Sequence, residues 1–301
     1  MNAQLAAILQ ALLVTLLWST SWVLIKFGLA GIPPLTFAGL RYFLAFIALA
    51  LYAAVIWRGK GRPHLTVRDW VLLAVYGLLF YAITQGLQFL GLALLPAITF
   101  SLLLNFTAPL VALLAIPLIG EIPRPAQWLG IGIFLVGVGI YFYPAIVPAG
   151  PARGLFVAFL TVLGASLSAV LGRAVNRRPG LDAMTITVVS MGIGSTALLA
   201  WGLIAEPWPA LGVGQWLNII WLALANTALA FTLWNHTLRT LTAAQSSIIN
   251  NTMLVQIAVL AWLFLGERPG AGEWLGMGVV LVGVLLVNLP PRRTLQDPPA
   301  L

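Results

Sequence analysis

The sequence predicts an all-α polytopic membrane protein, with ten transmembrane helices arranged as two inverted five-helix repeats. Three observations carry that prediction. The 301 residues are 61% hydrophobic and only 7% charged, whereas a soluble domain carries roughly 25% charged residues. The apolar residues gather into stretches of about 20, the length that crosses a hydrocarbon layer of roughly 30 Å. One phrase is also written twice: "GEIPRPAQWLGIGIFLVGV" from Gly120 and "GERPGAGEWLGMGVVLVGV" from Gly266.

Charge, proline and glycine separate the spans at about 4–29, 34–57, 69–93, 96–119, 124–143, 152–175, 181–204, 214–238, 243–265 and 272–289. Each is expected to be helical, because an apolar solvent offers backbone amides no partners. Pro34, Pro96, Asp69, Asp182 and Thr242 stand at starts, where helix N-termini accept or favour them. The first run, behind "MNAQ", has no basic leader and is too long for a signal-peptide core, so it reads as a permanent span.

Lysine and arginine orient the helices. With a cytoplasmic N-terminus, the inner side receives Arg58, Lys60, Arg62, Arg68, Arg124, Arg173, Arg177, Arg178, Arg239, Arg292 and Arg293, against Lys26, Arg41, Arg153 and Arg268 outside. Both termini are therefore expected in the cytoplasm of a bacterial inner membrane. The net charge of +8 is a topology signal of this kind and does not point to nucleic acid.

A shift of 146 residues lays Trp70 on Trp216, Ser101 on Ser247, Asn105 on Asn251, Trp128 on Trp274, Gly137 on Gly283 and Pro144 on Pro290. A shift of 147 lays Ser19, Ser21 and Lys26 on Ser166, Ser168 and Arg173. The repeats divide at 1–145 and 146–301. Five is odd, so the second copy enters the membrane from the opposite side, with Glu121 inside and Glu267 outside. Inverted copies are the signature of carriers whose site lies between the halves.

"LLWSTSWVLIKFGLAGIPPLTFAGLRYFLAFIAL" resembles the opening of the EamA-type repeat of the drug/metabolite transporter superfamily, and the duplicated phrase resembles its close. The likeness covers nearly the whole chain. It thins over spans six and seven, where the family's Trp-Gly and Arg-Phe cues are missing, and Ser19 replaces a frequent Gly after Trp18. The resemblance to the ten-span exporters of amino acids implies export of aromatic or other hydrophobic amino acids.

Polar residues inside spans turn away from lipid, so they nominate a site. Span one offers Trp18 and Ser21; span three Tyr81, Gln85 and Gln88 on one stripe; span four Ser101 and Asn105, one turn apart. Span six offers Ser166 and Ser168; span eight Trp234 and, secondarily, Asn226, Asn235 and His236; span nine Ser247, Asn250 and Asn251. The competing role for each is a hydrogen bond to a neighbouring helix. Trp22, late in span one, reads as an interfacial anchor. Arg41, about 10 Å inside span two by helix rise, matches the Arg-Phe position of the family it resembles and reads as snorkelling outward or capping carbonyls. Pro109 and Pro117 nominate a hinge in span four, and the glycines of spans five and ten a packing face.

The seven acids, Asp69, Glu121, Asp182, Glu206, Glu267, Glu273 and Asp297, all fall in loops, tails or span ends. Proton-coupled carriers and carriers of organic cations ordinarily use a buried carboxylate. A neutral cavity of aromatic and amide side chains suits a zwitterion. The expected function is alternating-access export of small neutral or zwitterionic metabolites, above all hydrophobic amino acids, with multidrug or quaternary-amine efflux as the alternative. The expected partners are a small amino-acid-like solute and the lipid bilayer. No nucleic acid, metal or cofactor is expected, and duplication lets a monomer suffice. Neither a nucleophile–base pair nor metal-ligand spacing supports an enzyme, and the loops are too short for a sensor's output domain.

Overall fold

A computed structural model describes residues 3–60, 64–119, 124–143, 150–176, 178–237, 240–241 and 249–287. The described residues form helices and short connections, with no strand among them. We number the spans in chain order. α1 is Ala3–Leu29, α2 Pro34–Lys60, α5 Pro125–Phe142, α6 Ala152–Asn176, α7 Ala183–Ala205 and α10 Ala271–Val287. α3 covers Val67–Leu94 and α8 runs on from Val213 to Thr237, each carrying a π turn, at Leu78–Thr84 and Leu224–Leu229. α4 is broken into Ala97–Leu104 and Thr107–Ile119, and α9 contains Met253–Leu265. Eight helices are long and apolar enough to cross a membrane, and two shorter apolar helices, Ile249–Leu265 and Ala271–Val287, complete the expected ten. The expected start of span nine at Thr242 lies outside the described residues.

The boundaries follow local chemistry. Thr66 caps α3 by accepting from Asp69 N–H, while the Asp69 carboxylate takes the Thr66 N–H at 2.9 Å. Asp182 caps α7 by accepting from Thr185 N–H at 2.9 Å. Gly266 ends α9 in the left-handed conformation, φ 71°, which glycine adopts without strain.

Apolar side chains cover the outside: Leu5, Leu9, Leu12, Leu16, Phe156 and Phe159 are exposed, while Ser19, Ser195, Asn226 and Thr227 are fully buried. This inversion of the soluble pattern fits a hydrocarbon solvent. The tightest seam joins α5 to α10. A Cβ on Gly130 would lie 2.8 Å from Gly283 O, and one on Gly283 would lie 2.8 Å from Gly130 O. Gly137 and Gly276 repeat the relation at 2.9 and 2.8 Å. Because 130 matches 276 and 137 matches 283 at the 146-residue shift, the contacts are reciprocal, as a two-fold relation requires. A second seam joins α2 to α7, where a Cβ on Gly39 would lie 2.6 Å from Leu199 Cα and one on Gly202 would lie 2.6 Å from Thr36 N. These seams bring backbones together as small residues do in membranes. Other pairings also cross between halves, α1 packing on α8 and α9 and α6 on α3 and α4, while α2 also packs on α3 within the first.

The irregularities fall at matching places. The π turns start 146 residues apart, at Leu78 and Leu224, and the α4 break at Asn105–Phe106 matches a turn at Thr252. Pro109 accounts for the first break. It has no N–H to offer Asn105 O, which instead accepts from Ala108 N at 3.1 Å, a tighter turn. The interruption thus precedes Pro109 by one turn. In α9 the Thr252 hydroxyl donates to Ile249 O at 2.6 Å and Thr252 N–H to the same oxygen at 3.1 Å, tightening the chain without proline.

Candidate functional site

The densest group of buried polar side chains among the described residues lies at the contact between α1 and the π turn of α8, and it is the candidate site. A π turn bonds i to i+5, which displaces side chains from ordinary helical register and leaves local backbone acceptors free. Thr227 occupies one, donating its hydroxyl to Leu222 O at 2.8 Å. Asn226 turns across to α1, where its Nδ2 reaches Leu17 O, Thr20 Oγ1 at 3.1 Å and Ser21 Oγ at 2.9 Å. Leu17 O can only accept, which fixes the amide's orientation. The opposite atom, Asn226 Oδ1, is buried without a hydrogen-bond partner.

Arg41 enters this cluster from α2 and is 5% exposed. Its Nε donates to Thr227 Oγ1 at 3.1 Å, and its Nη2 lies 3.5 Å from Ser21 Oγ. The guanidinium carbon stands 5.2 Å from the centre of the Tyr42 ring and 6.0 Å from that of Phe89. Arg41 therefore does not snorkel outward or cap carbonyls; hydroxyls and ring faces hold it inside. Its surroundings are also less neutral than expected, because it sits there as a cation. Among the described residues no carboxylate pairs with it: the recorded ion pair is Arg178 with Asp69, 2.6 Å, at the far end of the bundle.

One turn along α1 from Ser21, Trp18 meets two rings of α8, with centroid distances of 5.5 Å to Phe231 and 5.3 Å to Trp234. All three are half-buried. Trp22, expected as an anchor, is buried against Phe100 at 5.9 Å, because the same helix face continues into the core.

The other nominated residues form a second group. Tyr42 donates its hydroxyl to Gln85 Oε1 at 2.7 Å and packs its ring 5.9 Å from Tyr81. Gln88 is half-buried one turn beyond. The π turn in α3 disturbs the single stripe drawn for Tyr81, Gln85 and Gln88. Ser101 is buried and donates to Ile98 O at 2.8 Å, and Asn105 Nδ2 donates to Ser101 O at 2.8 Å, so the broken helix consumes these donors locally. Asn250 is exposed, Asn251 is half-buried and engaged, and Ser247 lies outside the described residues. Sequence reasoning missed Gln256, which joins α1 to the α9 turn: its Oε1 accepts from Ser19 Oγ at 2.9 Å, and its Nε2 lies 3.2 Å from Thr15 Oγ1 and 3.1 Å from Thr252 Oγ1. Phe231 and Tyr42 were missed too. Apolar rings in an apolar span carry no signal of their own, whereas a cation seven residues into α2 did.

The described acids sit at helix ends. The Glu206 carboxylate accepts from Leu35 N at 3.0 Å and Thr36 N at 2.7 Å, capping α2. That of Glu267 accepts from Ala97 N at 2.6 Å and Ile98 N at 2.8 Å, capping α4, while Lys26 Nζ donates to Leu95 O beside it at 2.6 Å. Helix N-termini attract anions for dipolar reasons. Asp182 shows the same balance: burial alone raises its pKa, but hydrogen bonds from the hydroxyl and N–H of Thr185, with those from the N–H groups of Met184 and Asp182 itself, together offset that and hold it below the usual carboxylate value. No cluster of metal-ligating side chains occurs among the described residues.

This architecture has relatives. The chain is 25% identical over 275 residues to the uncharacterized inner membrane transporter YedA of Escherichia coli strain K12, covering 91% of this chain and 88% of that one. It is 26% identical over 299 residues to a probable terminal-alkyne amino-acid exporter of Streptantibioticus cattleyicolor, covering 96% and 94%. A solved crystal structure superposes with a TM-score of 0.65 at 21% identity, covering 94% of this chain and 98% of that one, which speaks for the fold alone. The model of the EamA-like transporter family matches twice, at residues 5–143 and 152–289. The protein is thus a polytopic membrane transporter and belongs to the EamA-like transporter family.

Proposed function

We propose that the protein exports small zwitterionic metabolites, chiefly aromatic or other hydrophobic amino acids, by alternating access between two inverted repeats, residues 1–145 and 146–301, in an inner membrane with both termini cytoplasmic. The observation that carries the reading is the junction of α1 and α8. There an aromatic group of Trp18, Phe231 and Trp234 adjoins a cluster of hydroxyl, amide and guanidinium groups. One end of that junction suits an apolar side chain and the other an ionised head group. The relative named as a probable amino-acid exporter supports the same substrate class.

Efflux of quaternary amines is the weaker reading. A lipophilic cation asks for a buried carboxylate. Every described acid is engaged at a helix end, and the deep charge is a cation. The same placement of acids supports transport without an obligatory proton site, driven by the solute's own gradient. The test is counterflow of radiolabelled phenylalanine in proteoliposomes with no ion gradient. Exchange under those conditions is expected; exchange that starts only when a proton or sodium gradient is imposed would refute the uncoupled reading, and competition by lipophilic cations but not by amino acids would refute the substrate class.

A further inference from the structure

Arg41 and Asn226 each present an unmet demand, and they share a neighbour. A buried guanidinium carries a full charge that water no longer solvates, a cost ordinarily offset by an acid. Its hydroxyl partners, Thr227 and Ser21, supply dipoles but no opposite charge. Asn226 is fully buried, yet its Oδ1 accepts nothing. A lone acceptor of this kind in a packed interior costs free energy unless something visits it. Ser21 Oγ touches both residues, 2.9 Å from Asn226 Nδ2 and 3.5 Å from Arg41 Nη2, so the two side chains meet at one hydroxyl.

Neither group follows from the duplicated architecture. The residue matching Arg41 at the 147-residue shift is Val188, and the residue matching Asn226 at the 146-residue shift is Phe80. The counterpart contact, made by α3 with α6 and α7, is therefore built without either polar group.

We infer that Arg41 and Asn226 are the two jaws of a head-group site for an α-amino acid. The guanidinium takes the α-carboxylate, Asn226 Oδ1 accepts from the α-ammonium, and the side chain lies toward Trp18, Phe231 and Trp234. This rests on the amino-acid reading above and deepens it. Trp18 and Ser21 are three residues apart, a rise of about 4.5 Å, which is the scale of the distance from an α-carbon to the ring it carries. The arrangement also explains how a cation persists inside the bilayer: the substrate is its counter-ion for part of the cycle, and the hydroxyls and the Tyr42 and Phe89 faces hold it in between.

The test compares three probes against phenylalanine counterflow in the full-length protein: phenylalanine itself, phenethylamine, which lacks the carboxylate, and 3-phenylpropionate, which lacks the ammonium. The wild type is expected to prefer phenylalanine to either probe by tenfold or more. Arg41→Gln should weaken phenylalanine at least tenfold and leave phenethylamine within twofold, so that the preference collapses; Arg41→Lys should restore part of it. Asn226→Asp supplies Arg41 with an internal carboxylate, so phenylalanine should weaken while phenethylamine gains. Unchanged preference in Arg41→Gln would overturn the assignment. If that variant does not fold, Asn226→Asp decides alone, and an unaltered probe order there has the same meaning. A wild type that carries no amino acid defeats the proposed function together with this site, whereas carriage of amino acids with unaltered selectivity in the variants defeats this site only.

Discussion

At the scale of single residues, the chemistry of the spans divides polar groups into those that finish a helix and those left over. Asp182 belongs to the first kind and gives a prediction with a definite sign. Its folded pKa lies below the ordinary 3.8, so the stabilisation is fully present above that value and is lost as pH falls through the folded pKa. Asp182→Ala is expected to cost about 1 kcal/mol at neutral pH, the usual worth of an N-cap. Thermal unfolding in detergent should then show the gap between variant and wild type closing below about pH 4, since the wild-type carboxylate protonates there. Arg41 and Asn226 belong to the second kind. Their presence deep in spans was legible, because ionisable and amide groups stand out against leucine. Their partners were not, since a hydroxyl such as Thr227 is one of many and its pairing depends on a π turn that no spacing rule announces. Asn105 is the reverse case: symmetry with Asn251 nominated it for substrate, and the structure has it donating to Ser101 O in its own helix.

Elements were the most legible level. Runs of apolar residues punctuated by charge placed described helix ends within a few residues, because lipid leaves a spanning chain little choice but the helix. Interruptions inside the elements were harder. Pro109 betrayed the α4 break, but nothing in the α9 sequence announces the turn at Thr252 except its match to the first half. Glycines divide cleanly once the packing is known. Gly283 faces α5, where a Cβ would lie 2.5 Å from Phe134 N, whereas Gly278 has open space around it. Gly283→Val is therefore expected to lower stability by about 1–3 kcal/mol or more through overpacking, and Gly278→Val by far less. Thermal stability of the two purified variants checks this; equal losses would mean that the α5–α10 seam is not the close contact described.

For the whole molecule, the number of spans and the duplication were legible in advance, and the cross-pairing of the halves was not. A repeat in sequence says that two units are alike. It does not say that α5 seals against α10 and α2 against α7, which the reciprocal glycines reveal. The orientation of the halves can be tested cleanly, because the chain has no cysteine. Arg124→Cys and Gly270→Cys sit at matching positions before α5 and α10, 146 residues apart. Impermeant thiol reagents are expected to reach position 270 in intact cells and position 124 only in inverted vesicles. Labelling of both from one side would dismiss the inverted arrangement.

The interruption of α4 carries a mechanical consequence. At Asn105–Phe106 the two half-helices are joined by tight-turn hydrogen bonds, Phe106 N to Leu103 O at 3.0 Å and Ala108 N to Asn105 O at 3.1 Å, so their opposite end charges offset each other on the spot. A stretch with fewer i to i−4 bonds than the helix on either side bends more readily, which makes the span softest near its middle.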